Sequence, residues 1–322
     1  MATIDPHARW GEHGRPDYAG LQSFCACPYT EAADDLAGAD VAVVGAPIDE
    51  LATDYPGTRF GPRAIRLASD SFAGAHLDAG VNPFEALRVI DYGDAPVMPV
   101  DPIASHAAIE RTVGEVVDAG AIPLVLGGDH SIAEPDIRAC AKRHGPLGLI
   151  HFDAHTDTGR HLWGVAVNHG TPMYRLIEQG HVVADRYVQI GLRGSWPGEE
   201  EFAWQRERGI RDFRMGEVLE RGIADVLNDG IDAVGPGPVF ASIDIDVLDP
   251  AFAPGTGTPE PGGMTSTDLL WATRELARRL ELVGADLVEV IPTASGSRPD
   301  ITALIGSRIA TELLTGIALR RA

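Results

Sequence analysis

Seven short apolar runs rich in β-branched residues recur along the chain and limit its fold more than any other feature. They are "VAVVGAP" (41–47), "LRVIDYG" (87–93), "IPLVLGG" (122–128), "LGLIHFD" (147–153), "YVQIGLRG" (187–194), "VFASIDID" (239–246) and "ADLVEVIP" (285–292). Strands that are apolar at consecutive positions call for burial on both faces. Between most of them lie segments with apolar residues at three- and four-residue spacing, clearest at 102–119, 132–143, 267–280 and 301–319, which read as helices. That alternation implies βαβ units, hence a three-layer α/β/α domain around a mainly parallel sheet.

No Ser/Gly-rich linker, charge block or low-complexity tract divides the 322 residues, so one domain over 41–322 is expected, preceded by an N-terminal arm, 1–40. The arm opens on a polar stretch, "MATIDPHARWGEHGRPDYAG", without the apolar core of a signal peptide. No window approaches the roughly 18 apolar residues of a membrane span. A cytoplasmic protein with no membrane partner is expected. Three cysteines, Cys25, Cys27 and Cys140, are an odd number, which argues for a reducing compartment over a disulfide framework. The Cys25-x-Cys27 pair has no second pair to complete a metal site and reads as ordinary small residues. A net charge of −21 excludes nucleic acid and anionic membrane as natural partners. It suits a cationic small substrate, and equally a surface that only keeps the protein in solution.

The polar residues interrupt this pattern at one kind of place. "GGDHS", "HFDAHTD", "SIDIDVLDP" and "VEVIP" each lie at or just past the C-terminal end of an expected strand, the edge at which open α/β sheets bind ligands. Strands distant in sequence would thus bring their acids and imidazoles to one rim. The candidate metal ligands are His130, Asp153, His155, Asp157, Asp244 and Asp246. Two imidazoles and four carboxylates are too many for one tetrahedral zinc and suit two divalent ions that share carboxylates and a water. Oxygen-rich ligation favours Mn²⁺, with Ni²⁺, Co²⁺ and Fe²⁺ left open. Without metal the acids would repel one another, so binding should also stabilise the fold.

Taken together, "GGDHS", "DAHTD" and "SIDIDVLDPAFAPGTGTPEPGG" resemble the signatures of the ureohydrolase family, which includes arginase, agmatinase, guanidinobutyrase and proclavaminate amidinohydrolase. The likeness starts near "GAPIDELATDYPGTRFGPRAIR" (45–66) and reaches "ITAL" (301–304), and the long "DPAFAPGTGTP" form points to the agmatinase-like branch. The resemblance implies an arginase-like fold with about eight strands, two Mn²⁺ per subunit and a trimeric or hexameric homo-oligomer. It implies hydrolysis of a small guanidino compound, agmatine or an ω-guanidino acid such as 4-guanidinobutyrate, to urea and an amine. The chemistry suits the residues. A guanidinium stays protonated, with a pKa above ~12, and resists neutral water, whereas two divalent ions sharing one water make it a hydroxide near neutral pH.

By the same resemblance Asp157 ligates metal and accepts the hydroxide's proton, Glu289 grips the guanidinium with a planar carboxylate, and His169 shuttles a proton to the leaving amine. Asp129 is expected to support the site from behind, and His151 to point to the opposite face of its strand as a structural residue. Arg160, His161 and Trp163 lie in a variable loop that would meet the substrate tail. Arg59, Arg160 and Arg193 are the cations that could answer a carboxylate there. Two places depart from the family pattern. "VEVIPTASGSRPDITAL" lacks the usual tyrosine-aspartate pair, and Gly159 stands where arginases carry an asparagine that contacts the amino acid, which disfavours arginase activity. The alternatives are hydrolysis of guanidine or an N-substituted guanidine, or a non-catalytic partner subunit, which the intact ligand set argues against.

Overall fold

The computed structural model describes residues 3–10, 14–293 and 300–322. Its strands are β1 (Val41–Ala46), β2 (Val89–Asp94), β3 (Ile122–Gly127), β4 (Leu147–Phe152), β5 (Val182–Leu192), β6 (Arg211–Arg214), β7 (Pro238–Asp244) and β8 (Glu281–Val288). They form one sheet in the order β2-β1-β3-β8-β7-β4-β5-β6, with every neighbouring pair parallel. Seven strands coincide with the apolar runs. The eighth, β6, is an edge strand of sequence RDFR in which Phe213 alone is buried, so it carries no two-faced apolar signature.

The helices are α1 (Gly61–Ser69), α2 (Pro83–Ala86), α3 (Pro102–Asp118), α4 (Ala133–His144), α5 (Pro172–Glu178), α6 (Glu199–Arg208), α7 (Met215–Arg221), α8 (Ile223–Val234), α9 (Ser266–Arg279) and α10 (Ile301–Arg321). Three of the four read from periodicity carry helix-start chemistry. Asp101, Thr265 and Asp300 accept main-chain N–H groups in the first turns of α3, α9 and α10, satisfying donors the helix leaves open. One side of the sheet packs Ile65 of α1, Val226 and Leu227 of α8, Leu269 and Leu276 of α9 and Leu313 of α10. The other packs Ile109 and Val113 of α3, Ile137 of α4 and Met173 of α5. This is the expected three-layer arrangement, and fully buried Phe152 and Phe240 each contribute about 1.5–3 kcal/mol to it.

One expectation needs correction. Helix α10 is long and apolar enough, by length and composition, to cross a membrane, whereas no such segment was expected. It is a core helix instead, with 83% of that apolar window buried inside the protein. The described part of the N-terminal segment packs on the domain: Ile4 bridges Tyr29, Tyr29 pairs with Asp91 of β2, and Phe24, Cys25 and Cys27 are buried against α1. All three cysteines are free and buried.

Sheet order decides where the chemistry gathers. Strands β3, β8, β7 and β4 are consecutive neighbours, so their parallel C-terminal ends form one continuous rim although they are far apart in sequence. His130 follows β3, Glu289 follows β8, Asp244 ends β7 and Asp246 follows it, and Asp153, His155 and Asp157 follow β4.

Candidate metal centre and active site

The turn after β3 depends on a glycine. A Cβ on Gly128 would stand 2.0 Å from the Ile48 carbonyl oxygen, so only glycine lets the chain pass and deliver Asp129 and His130 to the rim. Asp129 then accepts N–H groups from Ser131 at 3.0 Å and Leu51 at 3.1 Å, tying the turn to the loop after β1. This is the supporting role expected of it. Burial first, and then Glu289, push its carboxyl up to about 7.

All six candidate ligands converge. Around His130 Nδ1 stand carboxylate oxygens of Asp157 at 2.9 Å, Asp153 at 3.1 Å and Asp244 at 3.2 Å. Around His155 Nδ1 stand Asp246 at 3.0 Å and Asp153 at 3.5 Å, so Asp153 lies between the two nests. None of the oxygens meets His130 Nδ1 along a hydrogen-bonding direction, and that nitrogen is buried and without a partner among the described residues.

The other ring nitrogen of His130 explains why. Its Nε2 lies 2.9 Å from the Ser242 hydroxyl, whose own proton goes to Asp286 at 2.7 Å. The hydroxyl therefore accepts from Nε2–H, and in the neutral imidazole Nδ1 presents a lone pair to three carboxylates. Lone pair against anions is stable only around a cation, so these residues fit a metal ion.

The electrostatics state the same deficit. Burial, then Asp246 and Asp153, push the Asp244 carboxyl well above the carboxylate range, and burial with Asp153 raises Asp246. Burial also opposes the charge on Asp153, yet His151 above all, with His155, holds it well below that range. Burial likewise opposes protonation of His155, but Asp246 and Asp153 outweigh it and carry the imidazole up to about 12. Adjacent acids are driven in opposite directions because the imidazoles are shared unequally among buried carboxylates.

His151 corrects the reading of its strand. Residues two apart share a strand face, so His151 lies on the side of Asp153 and not opposite it. Its Nε2 reaches Asp153 at 2.8 Å and its Nδ1 the Tyr187 hydroxyl at 2.8 Å, which makes it a brace for the ligand carboxylate.

Glu289 is buried, with one oxygen occupied and one open. Oε1 accepts the His130 main-chain N–H at 2.9 Å and lies 3.0 Å from His169 Nδ1, while Oε2 has no partner among the described residues. Gly257 faces Oε2, and a Cβ there would stand 3.3 Å from it, so the glycine keeps the approach clear. For His169, burial disfavours the charge, but Glu289 prevails and holds the imidazole up at about 9. Its Nε2 meets Thr53, with the main-chain N–H at 3.2 Å and the hydroxyl at 2.6 Å. Asp157, Trp163 and Glu289 all adopt left-handed backbone angles, with φ of 50°, 48° and 62°. Such strain in residues other than glycine collects at functional sites.

A cavity of about 240 Å³ opens onto this rim, lined by Thr53, His155, Asp157, Leu162, Trp163, His169, Gly170, Trp196, Asp244 and Thr258. Sequence reasoning missed Thr53, Leu162, Trp196 and Thr258, which sit singly in loops without periodic signal. Of the tail residues it named, Trp163 is at the cavity mouth and 85% exposed. Arg160 instead lines a neighbouring surface hollow with His161, 4.0 Å from Glu200. Arg193 is no substrate residue by its placement: all its guanidinium nitrogens donate to main-chain carbonyls, among them Gly191, Asp246, Val247 and Glu260. Arg59 is held by Asp49 and Glu50. At Gly159 a Cβ would meet the Gly170 carbonyl at 3.0 Å and the Trp196 ring at 3.3 Å, so Trp196 fills the space an asparagine would need. Residues 294–299 of the altered stretch after Glu289 lie outside the described residues.

This fold and rim define a class, and comparison with known proteins identifies it: the Arginase family model matches residues 39–316, and the chain belongs to the arginase family. Among its relatives, guanidinopropionase of Pseudomonas aeruginosa is 44% identical over 94% of this chain and 93% of its own. Guanidinobutyrase of the same organism is 37% identical over 96% of both chains. The solved structure of proclavaminate amidinohydrolase from Streptomyces clavuligerus superposes with a TM-score of 0.88 at 36% identity, covering 95% of this chain and all of that one. The ureohydrolase kinship and the arginase-like α/β fold expected from the motifs are therefore established.

Proposed function

We propose that the chain is a binuclear-metal amidinohydrolase that cleaves a small guanidino compound, agmatine or an ω-guanidino acid, to urea and an amine. The observation that carries this is the pairing, on one rim, of two imidazole nitrogens facing carboxylate nests with the unpartnered Oε2 of Glu289. The first metal would be held by His130, Asp157, Asp244 and Asp153, and the second by His155, Asp246 and Asp153. Two divalent ions, Mn²⁺ or Ni²⁺, bound there supply the Lewis acidity that makes water a nucleophile near neutral pH.

The rest is done by this chain's side chains. Glu289 Oε2 accepts from the guanidinium N–H groups and fixes the carbon relative to the rim, a charge-assisted contact in a buried setting. Asp157, strained in its turn and facing the cavity, takes the proton released as water attacks. Leu162, Trp163 and Trp196 wall the cavity and exclude bulk water around the tail. His169, held protonated by Glu289, is the proton source for the departing amine. The relatives named for guanidinopropionate and guanidinobutyrate support a guanidino acid, and the acidic cavity with its two tryptophans supports agmatine equally.

The test is urea release by Mn²⁺-loaded and, separately, Ni²⁺-loaded protein from agmatine, 4-guanidinobutyrate, 3-guanidinopropionate, arginine and guanidine. We expect release from at least one, abolished by Asp157→Ala. Protein that binds two ions yet frees no urea from any of them would overturn the proposal in favour of a non-catalytic partner subunit.

A further inference from the structure

We infer that Thr53 is a catalytic residue, the last proton donor to the leaving amine, an inference that rests on the hydrolysis proposed above. The hydrogen-bond directions around His169 lead to it. A main-chain N–H can only donate, so the contact from Thr53 N at 3.2 Å makes His169 Nε2 an acceptor when the imidazole is neutral. The ring proton then sits on Nδ1, turned to Glu289 Oε1 at 3.0 Å and away from the tail side of the cavity. Protonation places the second hydrogen on Nε2, and the acceptor in reach is the Thr53 hydroxyl at 2.6 Å. The Thr53 N–H opposes that hydrogen, which favours its moving on. Thr53 itself lines the cavity beside Asp157 and Trp196.

The loop that carries Thr53 is fixed to the histidine from both sides. Leu51 donates its N–H to Asp129 at 3.1 Å and accepts the His169 main-chain N–H at 3.1 Å. Asp49 accepts the Gly57 N–H at 2.7 Å and closes the loop beyond. Hydroxyl and imidazole are thus set in register before substrate arrives, as proton transfer requires.

The step balances. In the tetrahedral adduct the bond from carbon to the leaving nitrogen breaks, and its electron pair stays on that nitrogen. The nitrogen takes the Thr53 hydroxyl proton as Thr53 Oγ1 takes the proton on His169 Nε2. Urea, a neutral amine and neutral His169 remain, and the hydroxyl is restored.

The experiment compares wild type, Thr53→Val and Thr53→Ser, each metal-loaded, on an alkylguanidine and on a fluorinated alkylguanidine whose leaving amine is weakly basic and needs little protonation. Metal content and melting midpoint establish that the variants are folded. We expect Thr53→Val to lower kcat about 100-fold on the alkylguanidine, as loss of a general acid does, with KM within about twofold. The loss should shrink several-fold on the fluorinated substrate, and serine should restore most of the rate. Equal losses on both substrates, no rescue by serine, or an unchanged kcat in Thr53→Val would overturn the inference. Absence of urea from the wild type would instead sink the hydrolysis itself, and would be seen before any variant is compared.

Discussion

Replacing Ser242 with alanine tests the metal assignment without touching a ligand. Its hydroxyl accepts from His130 Nε2 at 2.9 Å and donates to Asp286 at 2.7 Å, and the residue is fully buried, so no bulk water takes its place. The substitution strands an imidazole N–H and a carboxylate oxygen in the interior. Stranded buried groups cost about 1–3 kcal/mol each, so the metal-free protein should lose roughly 2–6 kcal/mol of unfolding free energy. The metal effect is separable from this loss. Removing the partner that fixes a ligand histidine weakens binding about 10–100-fold, which is about 1.4–2.8 kcal/mol. Only the nest at His130 should suffer, because His155 has no contact with Ser242. Calorimetric titration with Mn²⁺ should therefore change from two similar steps to one unchanged and one weakened step. Denaturant unfolding with and without metal should show a smaller metal-induced gain in stability. Two unchanged affinities beside the stability loss would refute the tautomer argument. Equal weakening of both steps would refute the division of the ligands into two nests.

Other outcomes follow from the same geometry. The His169 imidazole is held at about 9 against an ordinary value near 6.5, so its contribution to stability is complete below about 6.5 and lost as pH rises through 9. Being the proton source, it should give kcat a descending limb near pH 9 that His169→Asn removes. Gly128→Ala drives a Cβ to 2.0 Å from a main-chain oxygen, and thermal unfolding should report at least the ~1–3 kcal/mol typical of an overpacked core. Trp163→Ala, at an exposed position on the cavity mouth, should leave stability within about 0.5 kcal/mol and move KM among substrates of different tail. Arg193→Met should do the reverse, lowering the melting midpoint while leaving KM ratios between acidic and basic tails unchanged, because its donors are spent on carbonyls.

What the sequence revealed divides along physical lines. The central strands were legible because burial on both faces leaves unbroken apolar runs, and α3, α4, α9 and α10 because each buries one long stripe or more. β6 was not legible, being four residues at an edge, and neither was α6, whose EEEFAWQRER is nearly all polar. The six candidate ligands and Glu289 could be placed on one rim because each lies at or just past a strand end. His151 was assigned to the wrong face although the two-residue period of a strand places it beside Asp153. Thr53 and Trp196 gave no local signal at all: a lone threonine and a lone tryptophan in loops acquire meaning only when distant strands bring His169 and Gly159 against them.

The sheet order also has a consequence for biosynthesis. Strand β8 ends at Val288 yet occupies the middle of the sheet, between β3 and β7, and among the described strands it alone joins the half containing β1, β2 and β3 to the half containing β4, β5, β6 and β7. A nascent chain emerging from the ribosome can assemble each half but has an open seam between them until that strand is made, and His130 stays apart from Asp153, Asp157 and Asp244. Assembly of the proposed metal centre would thereby wait for β8, and a chain halted before β8 would present two unpaired central edges to its neighbours, the kind of surface on which aggregates start and chaperones act.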